Sequence, residues 1–288
     1  PPEAMAASRA RAEAATGEAV WQLLPLCWQP VFREQQRLDY DPSRYDFLAL
    51  VREMLCCEDL PLSRLHELER PEDFEPCPPL LKGMQLAGKS LAPAKKCRKK
   101  NRRNKDWKGS AVYCRFVDLY RRFVQEVVLP EFCSPVGGDG DEVEAVVQMT
   151  PIMRVVMPSA NVATVPHRDA DYGHVPEELN FWMPLTPVWG SNSLFIESFP
   201  GRGDYAAFEG GPGHIFRFWG NQCSHYAEPN ATDSTRVSLD FRVVPRAFWD
   251  AAAASGGARE AAERRTFYHD GELALGSYYR LERARAPG

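Results

Sequence analysis

Two histidines and two aspartates crowd into one short stretch of this chain, HRDADYGHVPEELNFW, which begins at His167 and runs into an apolar segment. The whole chain has only 6 histidines, so this concentration is notable. Side chains at positions i and i+2 of an extended segment point the same way. His167 and Asp169 would therefore offer an imidazole and a carboxylate to a common centre. The stretch predicts either a polar turn at the end of a strand or part of a metal site completed further along the chain.

A third ligand is available in GNQCSHYAEP, where His225 also lies near the end of an apolar run. Two histidines and one carboxylate form a facial triad, which leaves three positions of an octahedral iron(II) open for substrate and oxygen. The short His-x-Asp motif recurs by chance in many chains. The hypothesis therefore needs support from elsewhere in the sequence.

That support comes from TRVSLDFRVV, the last strongly β-like segment. Its residues alternate: Arg236, Ser238, Asp240 and Arg242 share one face, and the residues between them are apolar. The apolar face would pack on a sheet, and the polar face would either meet solvent or line a polar cavity. Arg236 and Ser238 together suit a carboxylate, because the guanidinium gives bidentate contact and the hydroxyl adds a donor.

The elements that must position these residues differ between the two halves of the chain. Up to about residue 133 the pattern is helical, as in YDFLALVREMLCC and SAVYCRFVDLYRRFVQEVVLPEF, the second of which we expect to stop at Pro130. After the turn-rich SPVGGDGDEVE, short branched and aromatic runs alternate with Pro, Gly and Asn, which predicts a sandwich, jelly roll or barrel. These runs are PIMRVVMP, ELNFWMPL, SLFIESF, GHIFRFWG, SHYAEP and TRVSLDFRVVP.

The His-x-Asp motif, the distal histidine and the Arg-x-Ser on the last strand together resemble the iron(II)/2-oxoglutarate-dependent oxygenases of the double-stranded β-helix (jelly-roll) fold. The stretch from ELNFWMPL to DFRVVP looks more specifically like the StrG-type proteins. This resemblance covers roughly residues 150 to 245. It implies an α+β fold, with a double-stranded β-helix core and supporting N-terminal helices.

The same resemblance implies roles for particular residues. His167, Asp169 and His225 would bind iron(II), and Arg236 with Ser238 would bind the carboxylate of the cosubstrate 2-oxoglutarate. Halogenating relatives replace the carboxylate ligand with a small residue, so the presence of Asp169 favours hydroxylation or a related oxidation. The expected substrate is a small polar metabolite, with O2 as co-reactant. Alternatives are a protein or nucleic-acid hydroxylase of the same chemistry, and a cupin-like metal-binding protein that is not an oxygenase.

Four further polar residues are weaker candidates. Asn180 contacts the cosubstrate or merely bonds backbone at a strand edge. Glu197 holds a cationic group of the substrate or forms a structural salt bridge, for example with Arg217 or Arg202. His174 lies close to the triad in sequence but out of phase with it, which is typical of a loop residue beside a site. Together, Glu197, His174 and Arg217 are the candidate substrate-binding residues.

The predicted organisation is a helical region over residues 1–140, packed on a barrel core with a C-terminal extension over residues 141–288. The helical region includes a basic segment, Lys95–Lys105, which is a solvated loop, a localisation signal or a clamp for an anionic partner. A net charge of −4 argues against a mainly nucleic-acid or membrane-surface role. The 8 cysteines show no regular framework, so we expect reduced thiols and a cytoplasmic location, or an organelle if a transit peptide has been removed.

Overall fold

The structure is a computed structural model, and it describes residues 28–55, 57, 59–67, 81–86, 89–91, 110–133, 142–254, 273 and 275–285. The basic segment lies outside the described residues. No helix in these ranges is both long enough and apolar enough to cross a membrane.

The helical part is built from α1 (Gln29–Arg33), α2 (Phe47–Met54), α3 (Ala111–Phe123) and α4 (Pro130–Cys133). Asp46 and Ser110 cap α2 and α3 by accepting hydrogen bonds from backbone N–H groups in the first turn. A π-helical turn, Val124–Val128, continues α3. The long amphipathic run therefore ends before Pro130, and Pro130 itself opens α4, a position where its missing N–H costs nothing.

The larger sheet contains four strands of the barrel core, in the order β10 (His214–Phe218), β7 (Leu179–Pro184), β12 (Arg236–Pro245) and β5 (Ile152–Val156). All neighbours among these four are antiparallel. The smaller sheet has the order β6 (Thr164–His167), β11 (His225–Ala227), β8 (Phe195–Ile196) and β9 (Ala206–Ala207), again antiparallel. Along the chain, the core strands pass back and forth between the two sheets. This is the topology of a double-stranded β-helix, and it confirms the predicted fold class.

Further strands extend the larger sheet. β1 (Gln36–Asp39) pairs with β10, and β2 (Leu81–Leu86) pairs with β5 and with β3 (Lys89–Leu91). β4 (Glu142–Gln148) lies between β12 and β13 (Tyr279–Arg285), and α5 (Arg246–Ala254) follows β12. The helical pattern expected up to residue 133 is therefore interrupted by strands. The sequence did not predict β1 because only Leu38 of its four residues is buried. A single buried position does not show the alternation of apolar and polar residues that marks a strand.

β12 has the two faces that its sequence predicts. On one face, Phe241 stacks on Phe181 of β7 at a centroid distance of 5.4 Å and meets Tyr120 of α3 at 5.2 Å. This apolar face joins the sheet to the helices. The face that carries Arg236, Ser238, Asp240 and Arg242 is also buried. It therefore lines the polar interior of the barrel and does not meet bulk solvent.

Candidate metal centre

The structure brings His167, Asp169 and His225 together. His167 ends β6 and His225 begins β11, and the two are direct cross-strand partners. Asp169 opens a short 3-10 helix, Asp169–Tyr172, immediately after β6. Each residue offers one ligand atom, and these atoms all lie within 4.8 Å of one another. Asp169 Oδ1 is 3.9 Å from His167 Nε2 and 3.8 Å from His225 Nε2.

Both imidazoles are held with Nε2 towards this centre. His167 Nδ1 donates to the carbonyl of Val165 at 2.8 Å, and His225 Nδ1 donates to the carbonyl of Cys223 at 3.1 Å. With the proton on Nδ1, the Nε2 lone pair is free to bind a cation. Burial, with the neighbouring His225 as a second cause, lowers the pKa of His167 to about 4. Burial likewise lowers the pKa of His225. Both rings are therefore neutral at neutral pH.

The Asp169 carboxylate is fixed by two donors on its far oxygen. Asn180 Nδ2 donates to Oδ2 at 2.6 Å, and Arg242 Nε donates to the same oxygen at 2.9 Å. Burial alone would raise the pKa of Asp169, but the charge of Arg242 and the nearby histidines hold it well below its ordinary value. Asp169 is thus an anion that presents Oδ1 to the two histidines.

The donor set fits a divalent transition metal. Two imidazole nitrogens and one carboxylate oxygen, all buried, suit iron(II) and leave coordination positions open. The hydrogen bonds from the carbonyls, Asn180 and Arg242 supply the outer support that metal ligands ordinarily have. Asn180 therefore bonds a carboxylate ligand, a role different from both roles considered for it from the sequence.

A second polar site lies on the same inner face of β12. Arg236 is 1% exposed, and its Nη1 donates to the carbonyls of Asn192 and Ser193 at 3.0 and 2.9 Å. Its Nε and the hydroxyls of Ser238 and Ser193 are buried and have no hydrogen-bond partner in the described structure. Burial lowers the pKa of Arg236 to about 9. A buried cation with unpaired donors around it fits an anionic ligand such as a carboxylate.

Glu197 has both carboxylate oxygens bound by backbone. Oε1 accepts from the Ser224 N–H at 2.6 Å, and Oε2 accepts from the Gly203 N–H at 3.0 Å. Neither Arg217 nor Arg202 forms an ion pair with it. These contacts join the loop after β8 to the turn that leads into His225. In this structure Glu197 therefore fixes the backbone next to His225, one of the three candidate metal ligands.

His174 and Arg217 occupy other places. His174 Nδ1 lies 2.9 Å from Glu178 Oε1, and Tyr279 donates to the same carboxylate. Arg242 Nε lies 3.2 Å from Glu178 Oε1, so His174 belongs to the buried network behind Asp169. Arg217 alternates with Phe216 and Phe218, which meet Trp182 and His225 inside the barrel. Arg217 thus lies on the outer face of β10, and the structure does not bring it to the centre.

Two positioning features were missed by sequence reasoning. The first is the hydrogen bond from Arg242 to Asp169. The alternation of TRVSLDFRVV predicts that Arg242 lies on the polar face of its strand, but nothing in the spacing indicates Asp169 as its partner. The other feature is the loop between β10 and β11, whose Gly220 and Asn221 carbonyls accept hydrogen bonds from the N–H groups of Asp169 and Ala170 at 3.0 and 3.2 Å. An ideal Cβ on Gly220 would lie 2.7 Å from Asn180 Cγ. The glycine in WGNQCSH was the available signal for this close approach.

Among characterised proteins, this chain is similar to streptomycin biosynthesis protein StrG from Streptomyces griseus. The two are 38% identical over 112 residues, which cover 38% of this chain and 53% of StrG. This stretch is homologous to StrG. The resemblance predicted from the sequence is therefore confirmed. The match spans about half the length of StrG. No protein-family model matches the chain.

Three solved structures illustrate the likeness in fold. The non-heme monooxygenase ThoJ in complex with nickel matches at a TM-score of 0.37 and 15% identity, over 47% of this chain and 54% of ThoJ. EvdO2 from Micromonospora carbonacea var. aurantiaca, complexed with 2-oxoglutarate, matches at a TM-score of 0.29 and 14% identity, over 51% of this chain and 65% of EvdO2. A Pseudomonas putida prolyl-4-hydroxylase matches at a TM-score of 0.33 and 14% identity, over 74% of this chain and 92% of the hydroxylase. At TM-scores this low, the likeness does not bear on function.

Proposed function

We propose that this chain is an iron(II)- and 2-oxoglutarate-dependent oxygenase, which hydroxylates or otherwise oxidises a small polar metabolite and releases succinate and CO2. The observation that carries the proposal is the pairing of two sites inside one barrel. A buried facial triad and the buried Arg236 belong to the same barrel, and among the described residues the Nε of Arg236 and the hydroxyls of Ser238 and Ser193 have no hydrogen-bond partner. A ligand that binds metal at one end and carries a carboxylate at the other would satisfy both.

In this proposal, His167, Asp169 and His225 hold iron(II). The bound iron, together with its cosubstrate, supplies the activation of oxygen and the oxidation of the substrate. Arg236 and Ser238 bind the distal carboxylate of 2-oxoglutarate, so that the cosubstrate has one orientation in the barrel. Arg242 keeps Asp169 ionised, and the hydrogen bonds from Asn180 and Arg242 direct its carboxylate at the centre. The burial of all three ligands excludes water from the reacting groups.

The unpaired donors of Arg236 and Ser238 favour an oxygenase over a cupin-like protein that only binds metal, because such a protein has no need for a buried anion site. Asp169 occupies the third ligand position, which favours hydroxylation over halogenation. StrG is named for streptomycin biosynthesis. The homology therefore supports a small polar metabolite over a protein or a nucleic acid as substrate.

A succinate-release screen tests this function. The iron-reconstituted protein is incubated with 2-oxoglutarate, O2 and panels of small polar metabolites and peptides, and succinate is quantified. We expect substrate-coupled succinate with one class of metabolite and none with an Asp169→Ala variant. Turnover coupled to peptides alone would overturn the substrate class. Succinate at wild-type level from Asp169→Ala would overturn the metal-centre assignment.

A further inference from the structure

Arg154 is a cation of the barrel interior with no role in the sites described above. It lies on β5, directly across from Ser238 on β12, and therefore projects from the same inner face as Ser238. Its chain neighbours Met153 and Val155 are fully buried on the outer face. The Arg154 side chain is 33% exposed, whereas the Asp240 side chain that it contacts is 12% exposed. Arg154 thus reaches solvent-accessible space beside the Arg236–Ser238 site.

The guanidinium of Arg154 is held at one nitrogen only. Its Nε donates to Asp240 Oδ2 at 2.9 Å, and in the described part of the chain no group bonds to either of its Nη nitrogens. Asp240 is shared with Arg242, whose Nη1 lies 3.4 Å from Oδ1. Arg242 is also paired with Asp169 and Glu178, whereas Asp240 is the carboxylate that Arg154 contacts. Asp240 therefore orients Arg154, while the Nη donors remain available to a ligand.

Arg154 also lies between the two ends of the cavity. Asp240, which Arg154 contacts, lies on β12 between Ser238 and Arg242. Arg242 in turn donates to the triad residue Asp169 at 2.9 Å. The inner face of β12 therefore leads from the Arg236–Ser238 site, past Arg154, to the triad.

We propose that Arg154 is a second anion-binding residue of the cavity, which receives a carboxylate or phosphate group between the Arg236–Ser238 site and the metal triad. The anion is either the 2-oxo acid end of the cosubstrate or an acidic group of the primary substrate. The second source would make the metabolite an acid or a phosphate ester. This inference rests on the proposed function and extends it to a residue that neither the His-x-Asp motif nor the Arg-x-Ser motif contains.

Arg154→Met and Arg154→Lys test the proposal by binding measurements without turnover. Anaerobic protein loaded with Mn(II) is titrated by calorimetry with 2-oxoglutarate and with 2-oxobutanoate, which lacks the distal carboxylate. Acetate and inorganic phosphate are then titrated into the complex with 2-oxoglutarate. Arg37→Met is the matched control, because Arg37 lies on β1 of the same sheet and is paired with Asp39 at 3.6 Å on the exposed surface.

If the cosubstrate is the source, Arg154→Met binds 2-oxoglutarate and 2-oxobutanoate roughly ten- to a hundredfold more weakly, and lysine restores part of the loss. If the substrate is the source, both 2-oxo acids bind normally, and the variant loses acetate or phosphate binding that the wild type shows. Equal affinities of wild type and Arg154→Met for all four probes would overturn the proposal. A wild type that binds Mn(II) but no 2-oxoglutarate would refute 2-oxoglutarate as the cosubstrate in the proposed function. In that case, acetate and phosphate would be titrated into the Mn(II) protein, and equal affinities of wild type and Arg154→Met for both would overturn the role of Arg154.

Discussion

Arg236 tests cosubstrate binding separately from metal binding. Arg236→Met keeps much of the side-chain volume but leaves the distal carboxylate of 2-oxoglutarate buried without its cationic partner. Breaking a buried pair in this way costs about 3–5 kcal/mol, which corresponds to roughly a hundredfold to several-thousandfold weaker affinity. Titration of the anaerobic protein with 2-oxoglutarate should show this loss of cosubstrate affinity. Titration with metal should show an unchanged metal affinity. A variant with wild-type dependence on 2-oxoglutarate would mean that the cosubstrate binds elsewhere or is not used.

A substitution of Asn180 tests whether its hydrogen bond supports Asp169, the carboxylate ligand of the proposed metal site. Asn180→Ala removes the 2.6 Å hydrogen bond to Asp169 Oδ2 and leaves Arg242 as its remaining donor on that oxygen. Loss of such an outer partner typically weakens metal affinity about 10- to 100-fold. Calorimetry with Mn(II) measures the effect, with circular dichroism as a check on folding and the exposed Asn161→Ala as control. Unchanged metal affinity in a folded Asn180→Ala protein would contradict the role assigned to this bond.

At the scale of elements, the loop between β10 and β11 holds two ligands at once. Its carbonyls fix the Asp169 backbone and orient His225, and Gly220 packs directly over Asn180. Gly220→Ala would place a methyl group 2.7 Å from Asn180 Cγ and from Phe218 Cε2. We expect a loss of roughly 1–3 kcal/mol of stability from overpacking, together with weaker Mn(II) binding.

The matched control for this loop is Gly211→Ala. There the added Cβ would meet Pro187 Cα at 3.5 Å, which is ordinary contact. Thermal unfolding and Mn(II) titration of the two variants should therefore separate them. If Gly220→Ala behaves like Gly211→Ala in both measurements, the loop does not position the metal ligands through this contact.

Strands with several alternating residues were predictable from sequence, and short ones were not. β12 alternates over ten residues, so its polar inner face could be inferred from TRVSLDFRVVP alone. β9 has two residues and β6 four, one of them a proline, so neither carries a pattern. The triad followed from residue type and spacing. The bonds from Arg242 and Asn180 to Asp169 did not, because they depend on the register between β12 and β7.

At the scale of the whole molecule, the basic segment Lys95–Lys105 separates a small substrate from a macromolecular one. If the segment is only a solvated loop, its replacement by a Gly/Ser linker should leave succinate production on a small substrate nearly unchanged. An anionic macromolecular partner would instead produce a large loss that depends steeply on salt concentration. Succinate release at several salt concentrations, for the wild type and the linker variant, distinguishes these outcomes.

The central claim is that one buried triad and one buried arginine form a single iron and 2-oxoglutarate site. Its most direct test is an anaerobic spectrum of the purified protein during addition of iron(II) and then of 2-oxoglutarate. We predict one bound iron(II) per chain and a weak visible charge-transfer band that appears only with 2-oxoglutarate. The His167→Ala, Asp169→Ala and His225→Ala variants should lose this band and the activity together. Full activity in a chelated, iron-free sample, or an unchanged band in the three variants, would contradict the account.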